Sequence, residues 1–433
     1  MKQMKVVLVA ALLIGVTDLA AQTSKEVSAP VPAKVELRKT AEGYQLIRNG
    51  EPYYVKGAGG IAYLDRLAAY GGNSIRTWST RNAQAVLDSA HKYGLTVLMG
   101  LDVARERHGF NYDDKAAVQQ QLEKLKAEVL KYKDHPALLA WGIGNELNLH
   151  YKNEKVWDAV NDIAKMIHEL DPNHPTTTAL AGISKPVIDQ IRKRAPELDL
   201  LSVNTYGGLA GLPAAVRNAG WEGAYMVTEW GPTGHWECLE TSWKAPIEET
   251  SSEKASVYKS RYEYSMERDK EKCVGSYVFL WGQKQERTPT WYGIFTENGE
   301  ESEVVDVMQY LWTGNWPANR APHIFSLQLD NKKANASVTI TAKGSYTAKA
   351  MAIDPDNDQL SYRWELLPEA TEVGEGGDYE PRPKAIQGLI TPGPAGTATL
   401  KAPAKEGAYR LFVYVTDGNN NVATANIPFY VKK

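Results

Sequence analysis

Eight short apolar runs constrain the fold of this chain more than any other feature. They are YYVKGA (53–58), SIRTW (74–78), TVLMGLD (96–102), LLAWGIGNE (138–146), PTTTAL (175–180), LLSVNTY (200–206), AYMVTEW (224–230) and SYVFLWG (276–282). A run without polar alternation belongs to a strand buried on both faces, the condition of a parallel sheet covered by helices. Between the runs, apolar residues recur three or four apart, most clearly in DDKAAVQQQLEKLKAEVLKYK (113–133) and VWDAVNDIAKMIHEL (156–170), the period of amphipathic helices. Eight strand–helix units over 53–318 predict an α/β chain built on a (β/α)8 barrel. An open doubly wound sheet would compete, but no glycine-rich phosphate fingerprint follows the first strand.

The flanks read differently. MKQMKVVLVAALLIGVTDLAAQ carries Lys2 and Lys5, an apolar stretch from Val6 to Val16, then Ala20 and Ala21. That is the pattern of a signal peptide over 1–21, too short for a permanent anchor, and it predicts an exported protein, periplasmic, cell-surface or secreted. Residues 22–52 form a polar lead-in and a hairpin, with turn signals at Glu42-Gly43 and Asn49-Gly50. After LWTGNWPANRAPHI the pattern becomes short strands and turns: ASVTITAKG, YTAKAMAIDPDNDQ, LSYRWELL, GTATLKAPAK and AYRLFVYVTDGNNNVATANIPFYVKK. Residues 321–433 are therefore expected to form an all-β immunoglobulin-like sandwich.

Composition excludes some partners. A net charge of −3 gives no basic footprint for nucleic acid, and beyond the leader no stretch is long enough to insert in a membrane. The 12 Trp and 23 Tyr stand against only 6 Phe, and all but one Trp (Trp364) precede residue 321. Tyr and Trp join an apolar face to a polar edge, which suits hydroxylated ligands. A Trp-rich core is the plainer explanation.

In a barrel of this kind the C-terminal strand ends form the functional face. Those ends carry Arg76, Asp102, Asn145 with Glu146, Asn204 with Tyr206, Glu229 and Trp281. Two carboxylates from different strands, among donors and aromatics, are what glycoside hydrolysis requires. WGIGNEL resembles the Asn-Glu acid/base motif of clan A glycoside hydrolases, and VTEWG resembles their nucleophile strand. GYQLIRNGEPYYVKGAGG is similar to the opening of the family 2 catalytic barrel. Family 2 enzymes carry sandwich domains before that barrel, for which the preceding residues leave no room. A barrel followed by one immunoglobulin-like domain most resembles glycoside hydrolase family 158.

The resemblance implies a retaining endo-β-1,3-glucanase acting on a β-glucan polysaccharide or oligosaccharide of the laminarin type, with Glu146 as acid/base and Glu229 as nucleophile. Asn145 would bond the sugar 2-hydroxyl. Arg76 would pair with Glu229 and keep it ionised, and Tyr206 would donate to the same carboxylate. Loss of solvation and the neighbouring charge would hold Glu146 protonated. Trp281 is the expected sugar platform. Trp230, Trp236 and Trp291 are further candidates for subsites or loop packing, as is Asp102 for a hydroxyl contact or a rim ion pair. The competing functions are an exo-β-glycosidase, a β-1,4-glucanase or β-mannanase on the same barrel, and a glycan-binding protein without chemistry.

Neither a cofactor nor a catalytic metal is called for, and a monomer is expected. Asp354, Asp356 and Asp358 in DPDNDQ fit a Ca²⁺ loop but are explained equally by turn chemistry, the preferred reading. Cys238 follows strand seven on the functional face, whereas Cys273 sits near the start of strand eight. A strand of about seven residues at roughly 3.3 Å each separates them, well beyond the ~7 Å a disulfide spans. Both thiols should be free.

Overall fold

The computed structural model describes Met1 and residues 32–433, so the expected signal peptide lies outside the described residues. All eight apolar runs form strands, and these close into one parallel barrel. In order they are Val55–Gly59, Ser74–Arg76, Thr96–Leu101, Leu138–Asn145, Thr176–Ala181, Leu200–Asn204, Tyr225–Trp230 and Cys273–Val278. The last pairs with both its predecessor and the first, which completes the ring.

Each strand is followed by a helix, from Leu64–Ala69 to Glu303–Thr313. The helix Lys115–Tyr132 begins where Asp114 accepts hydrogen bonds from the amides of Ala116 and Ala117, satisfying two donors that the first turn leaves unpaired. In Lys155–Leu170, the residues Val156, Val160, Ile163, Ala164 and Ile167 form one buried stripe against the strands.

The expected hairpin gains a third strand: Val35–Thr40, Gly43–Arg48 and Glu51–Tyr53 form a small antiparallel sheet. Its turn at Asn49-Gly50 has positive φ at both residues (52° and 89°), the geometry that selects this dipeptide. Val35 and Leu46 join Val55, Leu139, Met226 and Tyr277 in one cluster, and the Tyr44 amide bonds the Glu271 carbonyl beside strand eight. The hairpin sheet thus covers the end of the barrel opposite the functional face.

The last barrel helix ends at Gly314 with a left-handed φ of 79°, and the first strand of the β domain starts at His323. Two sheets follow. One orders Glu301–Ser302, Asn421–Lys432, Gly407–Thr416 and Ser361–Pro368, with Thr339–Thr341 also on Asn421–Lys432. The other orders His323–Leu329, Ser345–Ile353, Thr397–Lys401 and Ile390–Pro392. Leu327, Ala348 and Leu400 from one sheet meet Leu411, Val413 and Ile427 from the other in a shared core, the sandwich arrangement.

Sequence periodicity missed the short edge strand Glu301–Ser302, which the barrel segment lends to the β domain by pairing with Asn421 and Val422. In DPDNDQ, Asp354 Oδ1 accepts from the amides of Asp356 and Asp358, the turn chemistry expected. Asp358 also lies within 4.8 Å of Asp354 and Asp417. Both cysteines are free, with Cys273 fully buried. No helix among the described residues is long and apolar enough to cross a membrane.

The barrel and the β domain meet through buried polar groups. Lys254 Nζ donates to Glu248 Oε1 (2.6 Å), and Asn426 of the β domain donates to Glu248 Oε2 (2.6 Å). Arg410, also from the β domain, donates to the Pro246 carbonyl (2.8 Å). A buried pair of this kind contributes little net stability when intact, but removing one partner strands the other charge at a cost of ~3–5 kcal/mol. Lys254→Met should therefore lower unfolding stability in urea by roughly that amount. A loss below about 1 kcal/mol would show that Glu248 is not held by this contact.

Candidate active site

The functional face is shaped by irregularities at the ends of two strands. Strand four shifts register between Gly142 and Asn145, and the chain then turns through Gly144 (φ 70°) and Glu146 (φ 53°). At Gly144 a β-carbon would come within 2.7 Å of the Leu147 side chain, so only glycine fits. A left-handed φ at a glutamate costs on the order of 1 kcal/mol and survives where surrounding structure enforces it, often at functional positions. Here the Glu146 amide is tied to the Ala179 carbonyl of strand five (2.8 Å).

Strand seven has its own register shift between Val227 and Glu229. Strict alternation would send Thr228 and Glu229 to opposite faces. With the irregularity, Thr228 reaches the Asn204 side chain (2.9 Å) while Glu229 also turns inward. Trp230 then packs on the outside, buried against Tyr258 and Tyr262.

Glu229 is surrounded by donors. Arg76 Nη1 (2.9 Å) and Trp78 Nε1 (2.7 Å) donate to its Oε1, and the Tyr206 hydroxyl donates to Oε2 (3.1 Å). Burial pushes the Tyr206 phenol well above its ordinary value, so it stays a proton donor. Glu146 receives one hydrogen bond, from Asn204 Nδ2 (3.0 Å). Burial, followed by the negative charge of Glu229, raises its carboxyl to about 7, opposed by the Asn204 bond. Asn204 also donates to Asn145 Oδ1 (3.1 Å), which accepts from Arg76 Nη2 (2.5 Å) as well. One network of side chains from strands two, four, six and seven therefore positions both carboxylates.

Both glutamates line a cleft of about 1130 Å³ that also includes Asn145, Tyr206 and Trp236 from the sequence reading. Arg76 lies directly beneath, in contact with Glu229 and Asn145. The remaining sequence candidates are elsewhere. Trp281 is 1% exposed, packed against Phe295 and Trp312 with its indole N–H on the Tyr63 carbonyl. Strand eight ends at Val278, three residues before Trp281, so Phe279 and Leu280 occupy the mouth instead. Trp230 and Trp291 are likewise buried, the latter donating to the Thr233 carbonyl. Asp102 is exposed and does not line the cleft. These three Trp residues are buried away from the cleft, whereas Trp236, which is 59% exposed and stands edge-on to Tyr206, lines it.

Two participants escaped sequence reading. Trp78 lies two residues past Arg76, within the apolar run SIRTW but beyond the end of its strand, and its N–H reaches Glu229. Arg105 lines the cleft and fixes strand four by donating to the Asn145 carbonyl (3.0 Å).

Residues 63–210 match the family described as glycosyl hydrolases family 2, TIM barrel domain. The β-glucuronidase of Homo sapiens is 23% identical over 181 residues, which are 37% of this chain and 26% of that protein. An Arabidopsis thaliana protein carrying the name of mannan endo-1,4-β-mannosidase 4 is 24% identical over 232 residues, 38% of this chain and 56% of its own. Among solved structures, the β-D-glucuronidase of Dictyoglomus thermophilum superposes with a TM-score of 0.52 at 18% identity, covering 66% of this chain and 54% of that one. Bacteroides uniformis β-glucuronidase 2, covalently bound to cyclophellitol-6-carboxylate aziridine, gives 0.51 at 15% identity, covering 92% and 48%. The chain spans about a quarter of the length of the β-glucuronidases it matches in sequence, and the structural likenesses establish the fold. The match to the family 2 glycosyl hydrolase TIM-barrel domain thus takes in strands two to six of the barrel, including Arg76, Asn145, Glu146 and Tyr206.

Proposed function

We propose that this protein is a retaining β-glycoside hydrolase that cleaves β-1,3-glucan internally, with Glu229 as nucleophile and Glu146 as acid/base. The observation that carries the reading is the unequal setting of the two carboxylates. Glu229 faces three hydrogen-bond donors, one of them cationic. Glu146, with a single amide donor, holds its proton up to about pH 7 because of burial and the charge of Glu229.

In the first step Glu229 attacks the anomeric carbon while Glu146 gives its proton to the departing oxygen, leaving a glycosyl ester on Glu229. Esterification removes the negative charge that helped to raise Glu146. Its carboxylate then takes a proton from water, which displaces Glu229 and restores the starting state. Asn145 accepts from Arg76 and Asn204 through Oδ1, so its amide nitrogen is the end that can donate to a sugar hydroxyl.

The cleft chemistry suits a hydroxyl-rich polymer. Beside the two glutamates it is lined by Glu237, Glu240, Glu286, Glu375 and Asp378, and by Arg105, Lys244, Lys284 and Arg287. Sugar hydroxyls find both acceptors and donors along these walls. Trp236 offers an exposed apolar face for a pyranose ring. The resemblance of the two-domain layout to family 158 supports the β-1,3 linkage. A β-glucuronidase is the second reading, favoured by Arg105 within the cleft and by the relatives' names.

A panel of β-1,3-glucan, β-1,4-mannan and an aryl β-glucuronide separates the substrate classes. The first should be hydrolysed to a ladder of oligosaccharides, with the β-configuration kept in the initial product by NMR. Preferential turnover of the glucuronide, or inversion, would contradict the proposal. Glu229→Gln should lower kcat on the order of 10³-fold or more, and a loss under tenfold would exclude it as nucleophile.

The raised proton affinity of Glu146 makes two signed predictions. Wild-type kcat/KM should fall as pH rises through about 7. Folded protein also binds this proton more tightly than unfolded chain, so stability declines as pH climbs from the ordinary value of 4.5 to about 7. Glu146→Gln removes that decline and should melt higher than wild type at pH 8. An unchanged or lower melting temperature there would mean that the carboxyl is not held protonated.

A further inference from the structure

The β domain does more than pack against the barrel. Its segment Gly374–Asp378 lines the cleft that holds Glu146 and Glu229. Five contacts fix it there from opposite sides of the barrel mouth. Arg107, after strand three, makes a two-pronged ion pair with Asp378 (2.9 and 3.2 Å), and His108 approaches the same carboxylate (3.4 Å). His150, after strand four, meets Glu375 Oε1 at 2.6 Å. Lys284, after strand eight, donates to the Gly377 carbonyl (3.0 Å). At the base, Glu380 is 3% exposed and accepts from both the Gly374 amide (2.9 Å) and the Arg287 amide of the barrel (2.6 Å).

The two glycines explain why the segment can lie so close. Gly376 and Gly377 have φ of 57° and 80°, and a β-carbon on Gly376 would stand 2.9 Å from Leu149 and 3.0 Å from Arg107. Left-handed backbone and close approach both demand glycine. The segment is thus pinned in place before any ligand arrives, which limits the ordering cost of binding. Its polar groups nevertheless remain accessible: the Glu375 side chain is 63% exposed and that of Asp378 is 41% exposed.

We propose that Gly374–Asp378 is a specificity-determining wall of the cleft, contacting sugar units beyond the one held between Glu146 and Glu229. It bridges the loops after strands three and four to the loop after strand eight, and so forms one side of the groove. The Glu375 and Asp378 carboxylates and the glycine carbonyls accept hydrogen bonds from hydroxyls of the distal sugars. This inference rests on the proposed glucanase reading and names the element that sets its length preference.

The test uses the full chain carrying Glu375→Ala, and separately a variant lacking Glu375–Gly377. Each is compared with wild type on β-1,3-gluco-oligosaccharides of increasing length and on a short aryl β-glucoside. The ratio of kcat/KM for the long oligosaccharide to that for the aryl glucoside should fall about threefold in Glu375→Ala. In the deletion it should fall tenfold or more, mainly through KM, with a changed distribution of product lengths. Glu375 is a surface side chain, so its variant folds whether or not the deletion does. An unchanged ratio in a folded Glu375→Ala protein would overturn the wall, as would equal losses on both substrates. Wild type turning over neither substrate would instead sink the glucanase reading, and the wall with it.

Discussion

The Arg76 guanidinium is the interaction on which the site depends. From strand two it reaches the Glu229 carboxylate, the Thr228 carbonyl, the Asn204 amide oxygen and the Asn145 amide oxygen. A planar fork of fixed donors can serve four acceptors at once, which a lysine could not. It neutralises the buried charge of Glu229 and orients both asparagines. Asn204 then directs its remaining donor at Glu146. A single cation on one side of the pair thus creates unequal surroundings for two chemically identical side chains. Asymmetry of this sort lets one carboxyl give a proton while its neighbour attacks.

Placing Arg76 there requires the barrel. Only a closed parallel ring brings the ends of strands two, four, six and seven over one point. The strand irregularities then turn Glu146 and Glu229 inward against simple alternation. The β domain is bound to this frame through buried polar contacts around Glu248 and Arg410 rather than through an apolar seam alone. That polar interface fixes its orientation, and a fixed orientation is what allows a distant loop to serve as part of the cleft.

Much of this was legible in the sequence because it is local. Strands buried on both faces leave uninterrupted apolar runs, and their last residues mark the functional face. Arg76, Asn145, Glu146, Tyr206 and Glu229 were therefore found together. The aromatics were less readable. A Trp has the same identity whether it faces helices or solvent, and the choice turned on details no local pattern carries. The register shift next to Glu229 sends Trp230 outward, and strand eight stops too early to present Trp281. Trp78 was hidden inside an apolar run. Nor does any local pattern reveal Gly374–Asp378, whose partners Arg107 and Lys284 lie far away along the chain.

The most direct measurement is covalent trapping with an activated 2-deoxy-2-fluoro-β-glucoside, followed by peptide mass spectrometry. The unequal pair predicts one glucosyl label per chain, carried by the peptide containing Glu229 and absent from Glu229→Gln. A label on Glu146, or sustained turnover of glucan by a protein that never acquires one, would contradict the account.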